Sequence, residues 1–121
     1  MRHKFRSTTT EYQGRKYPSK LAASYAAHLK ADEQLLFVLE EVPFRFWDGS
    51  RYMLDFMAFY KDGTVLCLET KGRETADFRR KMKLMKREYS PVDVYIVKGI
   101  YDTKKKIYTD FTMHIWGDDS E

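Results

Sequence analysis

Asp55, Glu69, Thr70 and Lys71 are the residues of this chain whose types and spacing lend themselves most directly to chemistry. Asp55 lies in the run Arg51 to Tyr60, where alternation puts it on one face with Met53, Met57 and Phe59. Glu69 and Lys71 share a face with Val65 and Cys67 in the next run, Thr64 to Lys71. Charges thus interrupt two otherwise apolar faces, and which of them meet depends on the connection. A two-residue Asp62-Gly63 turn opposes Asp55 to Thr70. A three-residue loop Lys61-Asp62-Gly63, a type I turn closed by Gly63 in the left-handed region, opposes Asp55 to Glu69, and this is the expected register. Two opposed carboxylates on a partly buried surface repel unless a divalent cation or an ammonium compensates them, and Lys71 supplies an ammonium. On spacing alone, an ordinary surface salt-bridge cluster of Asp55, Glu69 and Lys71 stands as an equal alternative.

The elements that must position these residues follow from pattern and punctuation. A first helix is predicted from Ser19, whose hydroxyl can cap the free amides, to about Ala31, with Leu21, Tyr25 and Leu29 on one face. Gln34 to Glu41 and Pro43 to Trp47 read as extended, Pro43 favouring an edge or a bend. Trp47-Asp-Gly-Ser is a turn, and Arg51 to Tyr60 and Thr64 to Lys71 are strands. A second helix runs from about Thr75 to Glu88, with Phe78, Met82, Met85 and Tyr89 as its apolar stripe and Arg79, Arg80, Lys83, Lys86 and Arg87 on its other flanks. Ser90-Pro91 stops it; Val92 to Val97 and Lys106 to Ile115 read as two more strands. The order is helix, three strands, helix, strand, with an added C-terminal strand: an α/β fold.

Length and composition bound the rest. The 121 residues, 43% apolar and 16% aromatic, suffice for one compact domain, and 1–121 is read as a single domain in which 1–17 form a basic N-terminal arm. No apolar run approaches the roughly 20 residues that span a bilayer, and the polar start lacks a signal-peptide core, so a cytoplasmic protein with no membrane partner is expected. Cys67 is a lone cysteine within Val65-Leu-Cys-Leu, which points to burial and excludes an internal disulfide or a cysteine-based zinc cluster. His3, His28 and His114 share no ligand spacing, and none is assigned to a metal. The net charge of +4 is segregated: +5 over residues 1–20, −4 over 21–70, +5 over 71–88 and −2 over 89–121. Two basic segments flanking an acidic middle suit a protein that presents cations to a polyanion.

With Asp55, thirteen intervening residues, then Glu69-Thr70-Lys71, the chain resembles the PD-(D/E)XK nucleases, as does the element order. Tyr17-Pro-Ser-Lys-Leu, Phe37-Val-Leu-Glu-Glu-Val-Pro-Phe, Leu54-Asp55-Phe56 and Leu68-Glu-Thr-Lys-Gly72 are similar to the phage endonuclease I family of Holliday junction resolvases and to related small phage nucleases, over about residues 17–98. The resemblance implies a restriction-endonuclease-like core and a metal-dependent, structure-selective DNA endonuclease. It implies Mg²⁺ or Mn²⁺ held by Asp55, Glu69 and the Thr70 carbonyl, with Lys71 positioning and helping to deprotonate the attacking water. DNA contacts would come from Arg2, Lys4, Arg6, Arg15, Lys16 and Lys20, and from Arg73, Arg79, Arg80 and Lys83 beside the site. A homodimer on branched or four-way DNA would present two sites, in the host cytoplasm if the source is a phage.

Two positions depart from the family. Leu54 stands where a proline usually precedes the aspartate, which is structural. Ala22 stands where the family carries a catalytic glutamate on the first helix, although Ser19-x-x-Glu would also form a capping box. The favoured account is a nuclease inactivated by substitution at position 22. The others are a natural enzyme using a further acid such as Glu40, and a non-catalytic DNA-binding or recombination accessory protein. A nuclease of the same fold acting on RNA or single strands is a third function. Glu40 and Glu41 are read as solvent-facing strand positions, one of which could turn toward the site.

Overall fold

The structure, a computed structural model, describes residues 9–117. It opens with strands β1 (Thr10–Tyr12) and β2 (Arg15–Tyr17), paired antiparallel with Tyr12 opposite Arg15. Gln13 and Gly14 between them both take positive φ, 52° and 79°, as a two-residue hairpin turn with the sheet's own twist requires. Within the segment read as a basic arm, residues 10–17 form a hairpin, with Tyr17 buried against the first helix. Arg2, Lys4 and Arg6 lie outside the described residues, as does His3. A Gln-Gly pair between short polar runs is a weaker turn signal than Asn-Gly, so the hairpin is hard to read from sequence.

Helix α1 (Lys20–Lys30) begins as the sequence predicts: Ser19 Oγ accepts the Ala22 N–H at 3.0 Å, and the helix closes at Ala31. Leu21, Tyr25 and Leu29 are buried, and so are Ala22, Ala23 and Ala26, whose small side chains give the helix a broad, smooth packing surface. Then follow β3 (Leu35–Arg45), β4 (Arg51–Tyr60), β5 (Val65–Thr70), α2 (Ala76–Glu88), β6 (Val94–Asp102) and β7 (Ile107–Ile115). The five strands form one mixed sheet in the order β3-β4-β5-β6-β7, antiparallel except for the β5–β6 pair, which α2 joins as a crossover. The fold is therefore α/β, two helices with a mixed five-stranded sheet and a two-stranded one. The predicted order of elements from α1 to β7 is found, with the N-terminal hairpin added. No helix among the described residues is long and apolar enough to cross a membrane.

Three details bear on the site. β3 runs unbroken through Pro43, opposite Met53, because it is an edge strand and one missing N–H can be accommodated there. The β4–β5 loop has three residues: Gly63, at φ 91°, donates its N–H to the Tyr60 carbonyl at 3.0 Å, and the Tyr60 N–H goes to the Thr64 carbonyl at 2.9 Å. The ladder then runs from Phe59↔Val65 to Phe56↔Leu68, so one further step places Asp55 opposite Glu69, as expected. The third detail corrects the reading of β6 as ending at Val97. It continues to Asp102, five residues beyond the last rung shared with β5, across a bulge at Gly99. Lys98-Gly99 reads as a break in sequence, but the bulge absorbs it.

Packing divides into two clusters. Ala22, Ala26 and Leu29 of α1 pack with Phe56, Ala58, Leu68 and Val97; Phe78, Met82 and Met85 of α2 pack with Leu54, Cys67, Val94 and Ile96. α2 is capped by Thr75 Oγ1, which accepts the Phe78 N–H at 3.1 Å. Burial pushes the Cys67 thiol pKa up, so this cysteine is a packing residue. Leu54 and Phe56 lie two residues apart on β4, where strict alternation would give them one face, yet they join different clusters. β4 therefore turns over between them, beside Glu41 of β3, which takes a positive φ of 54° between the Glu40↔Phe56 and Val42↔Leu54 rungs. Asp55 thus sits where the ribbon turns from one core to the other.

Candidate active site

The coiling of β4 at Asp55 and the end of β5 at Glu69 and Thr70 bring the four candidate residues together. Asp55 Oδ2 accepts two hydrogen bonds from Thr70, one from the amide at 3.0 Å and one from Oγ1 at 2.7 Å. Glu69 Oε1 accepts the Asp55 N–H at 3.3 Å and the Tyr52 hydroxyl at 2.5 Å. Glu69 Oε2 lies 3.7 Å from Lys71 Nζ. That ammonium stands 4.6 Å from the centre of the Phe78 ring, so α2 supplies a cation–π seat for it. Nothing in the sequence marks Tyr52 for this contact. It sits three residues before Asp55, and only the coil of β4 turns its hydroxyl toward Glu69.

The electrostatics are those of a cation deficit. Glu69 is buried and its pKa is pushed up to about 8, first by burial and then by the Asp55 charge; the Tyr52 hydroxyl, Lys71 and the Asp55 amide pull only partly the other way. Burial likewise raises the Asp55 pKa, against the two Thr70 hydrogen bonds and Lys71, and Glu41 adds to the rise. One ammonium is thus set against two neighbouring carboxylates. Repulsion and desolvation favour keeping a proton on the pair until a further cation arrives. Among the described residues no group of three or more His, Cys, Asp or Glu gathers as a metal site. Two hard carboxylate donors with no third side-chain ligand fit an ion that keeps several of its waters, as Mg²⁺ does.

Ala22 is fully enclosed in the α1 cluster with Phe56 and Leu68, the residues that neighbour Asp55 and Glu69 in sequence, and the first turn of α1 holds no acid. The expectation for Glu40 is corrected. Its side chain is only 8% exposed, and its Oε2 lies 3.2 Å from Lys30 Nζ and 3.6 Å from Arg15 Nε. Its strand position reads as solvent-facing from sequence, but Arg15 of the N-terminal hairpin reaches over it. Glu41 is exposed, and of the two it is the one that acts electrostatically on Asp55.

The basic residues divide in use. Lys16 and Lys83 are exposed, and Arg73 is exposed in the bend between Lys71 and α2. Lys20 Nζ rests on Tyr101, 3.4 Å from its hydroxyl and 5.6 Å from its ring centre. Arg79 donates to the Glu74 carbonyl at 3.0 Å, and Arg80 bridges Asp48 and Asp77 at 3.4 Å each, so the α2 ridge partly neutralises itself. Arg15 is engaged with Glu40. His28 packs between Tyr25 and Phe111 at 5.5 and 4.9 Å and takes no part in the site. No protein-family model, curated protein or solved structure matches this chain. The site is a half-buried Asp55 beside a buried Glu69, a lysine next to them, and a tyrosine and a threonine that fix the carboxylates' orientation.

Proposed function

We propose that the chain is a Mg²⁺- or Mn²⁺-dependent endonuclease of the PD-(D/E)XK kind, with a homodimer acting on branched DNA such as a four-way junction. The observation that carries this reading is the pairing of a half-buried Asp55 with a buried Glu69, short of positive charge and flanked by Lys71. When bound, the divalent ion would neutralise phosphate charge and make its own water a better nucleophile. Asp55 and Glu69 would hold it, with the Thr70 carbonyl as a backbone ligand. Thr70 already fixes the Asp55 carboxylate through two hydrogen bonds, and Tyr52 fixes that of Glu69. Lys71, seated on Phe78, is poised to orient a water for attack and to donate to a phosphate oxygen as charge develops there.

A second reading, a non-catalytic DNA-binding protein of the same fold, is favoured by Ala22, since α1 brings no acid to the pair. Cleavage of junction, flap, duplex and single-stranded DNA by this chain, by Ala22→Glu and by Ala22→Glu/Asp55→Asn separates the two readings. The expected outcome is metal-dependent cleavage that rises with the glutamate and disappears with Asp55→Asn. A folded Ala22→Glu form with no gain in rate, verified by thermal melting, would overturn the inactivated-nuclease account. Failure of Mg²⁺ to raise the melting temperature of either form would remove the metal site as well.

A further inference from the structure

The end of the sheet that carries Glu69, Thr70 and Lys71 has a second feature beside it. The last rung between β5 and β6 pairs Thr70 with Val97, and the Lys71 N–H closes on the Val97 carbonyl at 3.2 Å. β6 then runs on alone with β7 as a two-stranded ribbon, Lys98 to Asp102 against Ile107 to Thr112. At roughly 3.3 Å per residue, five residues carry its tip about 16 Å past the carboxylate pair. The tip is Thr103-Lys104-Lys105-Lys106. Asp102 holds it in shape: its Oδ1 accepts the N–H of Lys104 at 2.9 Å and of Lys105 at 3.0 Å, and its carbonyl accepts that of Lys106 at 2.7 Å.

Lys98, Lys104, Lys105 and Lys106 are all exposed, and none of them enters an ion pair among the described residues. This contrasts with Arg80, which two carboxylates already occupy. At the base of the ribbon Lys20 of α1 lies over Tyr101, and Tyr101 packs edge-on against Tyr108 at 5.1 Å. The tyrosines are thus engaged with each other and with a lysine, which leaves the ribbon better suited to phosphates than to unstacked bases.

We infer that the β6–β7 ribbon is a second nucleic-acid arm, whose lysines 98 and 104–106, with Lys20 at its base, grip the phosphate backbone of the duplex that passes the carboxylate site. The inference rests on the endonuclease reading and adds to it a contact surface on the side of the site away from the α2 ridge. Binding of labelled duplex and four-way junction to the full chain, followed by fluorescence anisotropy from 50 to 250 mM salt, tests it. Lys104→Gln/Lys105→Gln/Lys106→Gln should bind at least tenfold more weakly and flatten the slope of log K against log salt by about 2–3. Lys98→Gln alone should flatten it by about 1. Lys61→Gln, at the opposite end of the sheet, should change neither quantity. Circular dichroism and melting should be unchanged, because these side chains are exposed.

Wild-type binding with an unchanged slope in the triple variant overturns the arm and leaves the endonuclease reading standing. Tighter binding of a labelled single strand, run beside them, with the triple-variant loss confined to that strand, overturns the duplex assignment. If the wild-type chain binds no nucleic acid at all, both readings fall.

Discussion

Glu40 and Glu69 make an instructive pair. Both are glutamates of the central sheet, both have side chains less than a tenth exposed, and each faces a lysine. Glu40 lies within 4 Å of two cations, Lys30 and Arg15. Glu69 has one ammonium at 3.7 Å and a second carboxylate, Asp55, as its neighbour. The first arrangement more than offsets the carboxylate charge and joins three elements: β2, α1 and β3. The second is unbalanced, and its imbalance is what a divalent ion would correct. Burial of a carboxylate therefore does not mark a reactive site by itself; the local count of opposing charges does.

The comparison can be broken most decisively at Asp55. Asp55→Asn removes one charge of the pair, so it should abolish any Mg²⁺-induced rise in melting temperature and bring the Glu69 pKa down from about 8 toward the ordinary range. Carboxyl NMR titration and thermal shift read both effects, and a retained Mg²⁺ response would place the ion elsewhere.

Next in size is a pH effect. Between about pH 4.5 and pH 8 folded Glu69 keeps a proton that the unfolded chain releases, so its contribution to stability falls as pH rises through that window and is constant above it. Glu69→Gln should flatten this decline relative to wild type, and Mg²⁺ binding near neutrality should release protons. Denaturant melts at pH 5 and pH 8.5 check the first; calorimetry in buffers of different ionisation heat checks the second. An equal decline in Glu69→Gln would refute the assignment.

Glu40→Ala should cost about 1–2 kcal/mol, since it strips the partner from two cations that are themselves partly exposed, while leaving the Mg²⁺ response intact. Loss of that response would show that the two glutamates are coupled. The smallest expected effect is that of Tyr52→Phe. It should cost about 1 kcal/mol and raise the Glu69 pKa further, because the hydroxyl donates to the carboxylate.

Much of this arrangement is legible along the chain because it depends on local rules. Ser19 caps α1, and the length of the Lys61-Asp62-Gly63 loop sets the rung of Asp55 and Glu69. The α2 stripe of Phe78, Met82 and Met85 follows helical period and is buried as expected. What escapes the sequence depends on pairing between distant segments. Tyr52 reaches Glu69 only because β4 coils at Asp55, and Glu40 is covered only because the hairpin at residues 10–17 folds over β3. Alternation assigns a face to each strand residue, but it cannot say where a ribbon turns over or what lies on top of it.

The Lys61-Asp62-Gly63 connection has a consequence for how the gene can vary. Surface loops ordinarily absorb insertions and deletions at little cost. This one lies about 20 Å from Asp55 along β4, yet it sets the register: if Lys61 joined the ladder opposite Thr64 and Asp62-Gly63 alone closed the turn, Thr70 would face Asp55 where Glu69 now stands. In a scan of single-residue insertions and deletions it should behave as part of the active site wherever Tyr60 loses its pairing with Thr64, while accepting substitutions at Lys61 freely. The opposite pattern is expected at Asp48-Gly49, whose turn lies between β3 and β4 and sets no rung of the carboxylate pair.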